Sequence, residues 1–109
     1  WGLATRIPDR VLGVASICGW YSREEYGDAN NLWVQETSLM HMDKMLLGIF
    51  HASIAMNEDS LHACNLKGMQ ALVRVATKDN SVSPWFGRRM ARHLYEEGAN
   101  LTLQELDKE

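Results

Sequence analysis

The sequence predicts an α/β fold: three parallel strands in an incomplete sheet, with flanking helices and a helical insert. Residues 11–18 form an uncharged apolar run, which is typical of a parallel strand covered on both faces. A second apolar run, residues 70–76, leads through a polar turn into a helix. Leu101, Leu103 and Leu106 indicate a third strand. Because helical crossovers join parallel neighbours, the three strands are expected to form one sheet.

The segment between the first two strands, residues 21–65, is predicted to be a helical insert. Thr37 or Ser38 can cap a helix that extends to about Met56. Mostly apolar side chains recur there at the spacing of one helical face. That face comprises Met42, Met45, Leu46, Ile49, Phe50 and Ser53. The methionines are interpreted as filling a core or a lid.

The helix after the second strand has well-marked ends. Pro84 suits its first turn, and Gly98 ends it as a left-handed cap. The inner face is predicted to comprise Phe86, Met90 and Leu94, and the outer face Arg88, Arg92 and Glu96. We expect the apolar face to pack against one side of the sheet.

Composition and charge narrow the classes of function. A chain of 109 residues makes at most one domain. The formal net charge of −3 gives no electrostatic reason to expect nucleic acid. A local basic group is interpreted as a solvated helix face; it comprises Arg88, Arg89, Arg92 and His93. No apolar run reaches the roughly 18 residues of a membrane span, so none is predicted.

The cysteines favour reduced thiols. Cys18 and Cys64 lie in apolar contexts, without the spacing of a redox pair. They are predicted to be buried and not bonded to each other, which favours an intracellular compartment. His62 and Cys64 could bind a metal, but no second pair at ligand spacing supports them, so neither metal nor cofactor is predicted.

The turn after the second strand presents one carboxylate, Asp79, between Lys78 and Asn80. An acid at the carboxyl end of a parallel strand lies where open α/β sheets build their sites. The alternative is that Asp79 only caps a turn. This segment alone leaves both interpretations open.

The segment resembles the one that contains the catalytic acid in α/β-hydrolases, in particular the prolyl-oligopeptidase-like serine peptidases. In that family a strand is followed by G-x-x-D-x-x-V-x-P and a helix. Here Ala76 takes the glycine position, and Asp79, Val82 and Pro84 keep theirs. Residues 1–10 are similar to the stretch after the nucleophile elbow. Residues 98–109 look like the last core strand and the start of the loop that contains the triad histidine.

The resemblance implies that Asp79 is the acid of a Ser-His-Asp triad. It also implies that Trp20, Tyr21 and Trp85 lie at the mouth of a substrate pocket, although packing is the alternative for each. The chain has no G-x-S-x-G motif and no histidine after His93. We therefore expect the C-terminal part of a serine hydrolase of the peptidase or esterase type, inactive without its missing segments.

In a second hypothesis the chain has no catalytic activity. It would be a non-catalytic remnant of the α/β-hydrolase fold, acting as a structural or accessory subunit of a larger assembly. Both hypotheses require a partner, because residues 11–18 would otherwise form an unpaired sheet edge. The partner is expected to be the remainder of the hydrolase domain or another protein subunit.

Overall fold

A computed structural model describes residues 1–22 and 43–108. Within these described residues, three helices and three strands follow one another in the order expected for an α/β chain. They are α1 (Gly2–Arg6), β1 (Gly13–Ile17), α2 (Lys44–Ala55), β2 (Gln70–Ala76), α3 (Pro84–Glu96) and β3 (Asn100–Leu106), with short 3₁₀ segments at Pro8–Arg10 and Asp59–Leu66.

The three strands form one open parallel sheet in the order β1-β2-β3. Gly13 of β1 lies beside Gln70 of β2, and Gln70 lies beside Asn100 of β3. The carboxyl ends of all three strands therefore meet at one edge of the sheet. The predicted parallel sheet is confirmed, as are the bounds of its middle strand.

Helix α3 covers one face of this sheet. Its predicted inner residues Phe86, Met90 and Leu94 are fully buried. The backbone of α3 lies so close to β2 that a Cβ placed on Gly87 would be 2.2 Å from Val75 Cγ1. Ser83 caps the helix by accepting a hydrogen bond from the Trp85 N–H at 3.4 Å. Gly98 follows the helix with a φ of +80°, so the predicted left-handed cap is confirmed.

The opposite face of the sheet is largely uncovered by the described residues. Ile17, on that face of β1, is 62% exposed. The small side chains of β1 leave a shallow depression of about 450 Å³ beside Leu72 and Thr102. Parallel sheets are ordinarily covered on both faces. The architecture is therefore a partial α/β sheet in which one face is covered by a helix.

Helix α2 departs from its predicted bounds and burial. It begins at Lys44, because Asp43 has an extended backbone and accepts a hydrogen bond from the Met45 N–H at 2.9 Å. The predicted caps Thr37 and Ser38 lie outside the described residues. Met45 is 80% exposed, so of the two predicted roles, filling a core or a lid, it does not have the first among the described residues. A helical stripe of apolar residues gives no information on what, if anything, covers it.

Arg74 of β2 bonds across the sheet: its Nε and Nη2 donate to Gln104 Oε1 on β3, at 3.0 and 2.8 Å. The predicted burial of the cysteines was wrong: Cys64 is exposed and Cys18 half-buried, both as free thiols. Among the described helices, none combines the length and the hydropathy needed to cross a bilayer.

Candidate functional site

Asp79 lies at the carboxyl edge of the parallel sheet, in the turn that joins β2 to α3. Strand β2 ends at Ala76, and the Asp79 N–H donates back to the Ala76 carbonyl at 3.3 Å. The chain therefore turns sharply at the strand end before Pro84 starts the next helix. The carboxylate lies at the edge expected from the sequence.

The Asp79 carboxylate is fixed by backbone donors of its own turn. Oδ1 accepts hydrogen bonds from the Ser81 N–H at 2.8 Å and the Val82 N–H at 3.0 Å. The Val82 and Ser81 bonds lower the pKa of Asp79 below its usual value, and its partial burial opposes them only in part. Asp79 is consequently an oriented anion at neutral pH.

Cys18 is a neighbour of Asp79 that sequence reasoning missed. It follows β1, and its N–H donates to the Arg74 carbonyl of β2 at 2.9 Å. Its φ of +48° places it in the left-handed region, which is uncommon for a residue with a side chain. Its thiol is the smallest of the influences that lower the pKa of the Asp79 carboxyl. The sequence could have predicted this proximity, because Cys18 and Asp79 follow neighbouring parallel strands.

The three aromatic residues predicted at a pocket lie at two different cavities of the described residues. Tyr21 is 2% exposed and packs edge-on against Phe86, with ring centroids 6.2 Å apart. Trp85 packs on the same Phe86 at 5.1 Å. Trp20 and Tyr21 line one cavity, whereas Trp85 lines another on the outer side of α3. Packing, the alternative interpretation, describes Tyr21.

The cavity beside Trp20 and Tyr21 has a volume of about 430 Å³. Arg6 and Asp59 also line it. Arg6 Nη2 donates to the Met56 carbonyl, and this contact joins α1 to the segment after α2. Arg6 therefore has a structural role in this cavity wall, because its hydrogen bond holds two helical segments together.

The basic helix face forms an open groove of about 540 Å³. Its cations have partners: Arg88 Nε lies 2.7 Å from Glu105 Oε1, and Arg92 Nε lies 2.9 Å from Glu96 Oε1. The guanidinium of Arg89 stacks over the Trp85 ring at 4.9 Å. Local carboxylates and an aromatic ring therefore engage the three arginines.

Within residues 1–22 and 43–108, no three histidine, cysteine or acidic side chains converge as metal ligands would. No protein-family profile matches this chain, and no curated protein and no solved structure is significantly similar to it. The candidate site therefore depends on its own geometry: an ionised, backbone-held carboxylate beside a thiol, where two parallel strands end.

Proposed function

We propose that this chain contributes the acid of a Ser-His-Asp triad, Asp79, to a serine hydrolase of the peptidase or esterase type. The nucleophile and the histidine would come from polypeptide outside residues 1–109. A triad acid holds the histidine in one tautomer and stabilises the imidazolium formed during the reaction. Both tasks need a carboxylate that is ionised and fixed in place.

One observation supports this proposal most: Asp79 is an oriented anion at the carboxyl edge of a parallel sheet. The backbone bonds to Oδ1 fix the carboxyl plane and lower its pKa. Sites of open α/β sheets lie at this edge because the loops that follow the strands converge there. The ordered resemblance of the sequence to the hydrolase segment is the second ground for the proposal.

The same bonds favour a second candidate function, a structural subunit without catalysis. An aspartate that accepts from the N–H groups two and three residues ahead stabilises a turn, as aspartates in many loops do. In that case the chain would act as a scaffold, and its uncovered sheet face would pack against the assembly.

An Asp79→Asn variant of the natural polypeptide separates the two functions. Asparagine keeps an acceptor oxygen for the turn but cannot hold a histidine in the required tautomer. For a triad acid we expect turnover of an ester or peptide substrate to fall about 10⁴-fold, as it does in serine proteases. Unchanged turnover in an active enzyme would remove Asp79 from the triad.

Asp107→Asn is the matched control. Asp107 also follows a strand of this sheet, and it pairs with Lys78 at 3.0 Å, but its side chain is 77% exposed. We expect this variant to retain turnover. If the unmodified polypeptide hydrolyses nothing and is not labelled by a fluorophosphonate serine probe, the scaffold function is the correct one.

A further inference from the structure

We propose that the cavity beside Trp20 binds the zwitterion of a free α-amino acid with an apolar side chain. The inference does not rest on the hydrolase function, because Asp79 is not among the described residues that line this cavity. The walls come from the start of α1, the segment after β1 and the segment after α2. The volume of about 430 Å³ lies toward the lower end of the range for small-molecule pockets, roughly 300–1,000 Å³, which suits a small ligand.

A cation and an anion of this cavity lie close to Gly2. A Cβ placed on Gly2 would be 3.3 Å from Asp59 Oδ1 and 3.4 Å from Arg6 Nη1. Both charged atoms are therefore within contact distance of one point, which the glycine leaves open. Arg6 and Asp59 nevertheless form no ion pair with each other.

Each of the two charged groups keeps hydrogen-bonding capacity. Arg6 is held through Nη2, which donates to the Met56 carbonyl and to Asn57 Oδ1 at 3.4 Å. Its Nη1 makes no hydrogen bond to any described residue, and neither does the half-buried carboxylate of Asp59. Polar groups that are removed from water normally have partners, so a ligand that pairs with both groups is favoured.

The two charges select the chemistry of the ligand. Asp59 pairs with a cationic donor and Arg6 Nη1 with an anionic acceptor, and both are reached from the same space. The ammonium and the carboxylate of an α-amino acid are attached to one carbon atom, so one small molecule supplies both. Asp59 would repel a phosphate or a dicarboxylate, and Arg6 would repel a diamine. The ring of Trp20, which is 43% exposed, provides a surface for an apolar side chain.

A series of matched ligands tests the proposal on the natural polypeptide. L-Leucine, 4-methylpentanoate and 3-methylbutylamine share one apolar branch, but the second lacks the ammonium and the third lacks the carboxylate. In titration calorimetry we expect a Kd for L-leucine of about 1 mM or less. Each analogue should bind at least about tenfold more weakly, because it leaves one charged side chain unpaired. A Kd above about 1 mM for L-leucine, or an analogue that binds within about tenfold of it, would overturn the proposal.

Asp59→Asn tests the partner of the ammonium. The variant keeps the size of the side chain but removes its charge, so the affinity for L-leucine should fall at least about tenfold. The affinity for 4-methylpentanoate should stay the same or rise, which also shows that the cavity is intact. Asp9→Asn changes an exposed aspartate that does not line the cavity, and as the matched control it should bind L-leucine normally. Undiminished binding of L-leucine by Asp59→Asn would contradict the assignment.

Gly2→Ala tests whether the ligand occupies the space over Gly2, and it does not depend on the outcome at Asp59. The new Cβ would enter that space while both charged side chains remain, and alanine favours the helical backbone of α1. We expect the affinity for L-leucine to fall at least about tenfold, with unchanged helical circular dichroism. Gly48→Ala, whose new Cβ has nothing within 4 Å, is the matched control and should leave the affinity unchanged. Equal affinity in the two variants would place the ligand elsewhere and overturn the proposal.

Discussion

At the scale of single residues, Asp79 combines two roles that are often separate. Its Oδ1 closes the turn after β2 through the Ser81 and Val82 N–H groups. The same bonds keep the carboxyl ionised at the edge where sites form. Cys18, which follows the neighbouring strand, makes a smaller contribution to the lowered pKa of this carboxyl. A turn-capping aspartate is thereby preorganised to orient a basic group.

The lowered pKa of Asp79 predicts how stability depends on pH. A carboxyl whose folded pKa lies below its ordinary value of 3.8 stabilises the fold above that value. The stabilisation is lost as the pH falls through the folded pKa. We expect the unmodified protein to be more stable than Asp79→Asn at pH 7, and this difference to shrink below about pH 4. Urea unfolding of both proteins at pH 7 and pH 3 measures it; a difference independent of pH would contradict the assignment.

At the scale of elements, local sequence signals predicted the bounds of α3 and β2 but not the start of α2. Pro84 and Gly98 mark the two ends of α3, and both signals act within a few residues. The start of α2 was missed because Asp43 is a cap placed between the apolar residues Met42 and Met45.

Partners of side chains were harder to predict than elements. Arg74 bonds to Gln104, thirty residues away, because the parallel register brings β2 beside β3. Tyr21 is buried against Phe86 for a similar reason, since α3 lies beneath the chain that leaves β1. The position of Asp79 could be predicted because it depends only on where one strand ends. Which cavity each aromatic side chain lines could not be predicted, because it depends on which long-range contacts form.

The close approach of α3 to β2 predicts opposite effects at two helical glycines. In Gly87→Ala the new Cβ would meet Val75 Cγ1 at 2.2 Å, so we expect a loss of about 1–3 kcal/mol in unfolding free energy. In Gly48→Ala, on α2, nothing lies within 4 Å, so we expect no loss and up to about 1 kcal/mol of gain from helix propensity. Chemical denaturation of both variants provides the comparison.

A variant that removes the contact between residues 87 and 75 is the control for Gly87→Ala. Val75→Ala removes the Cγ1 atom that the new Cβ would meet. The double variant should therefore be less destabilised than the sum of its single changes. Additive losses would show that Gly87→Ala acts through something other than this contact.

At the scale of the whole molecule, the described residues form a three-stranded sheet with a helix layer on one of its two faces. Helix α3 covers one sheet face, while Ile17 and Leu106 on the other remain 62% and 41% exposed. An α/β sheet of this kind gains stability when its second face and open edge are covered. Cover on that face would therefore stabilise the sheet further.

The most direct test of the central claim is an experimental structure of the natural polypeptide, read at Asp79. A triad acid should have a histidine Nδ1 within about 2.6–3.2 Å of its carboxylate, with the imidazole directed at a serine hydroxyl. That distance is the result we predict. An Asp79 that bonds only to Ser81 and Val82, with no histidine within hydrogen-bond reach, would contradict the catalytic role and leave Asp79 as a turn residue.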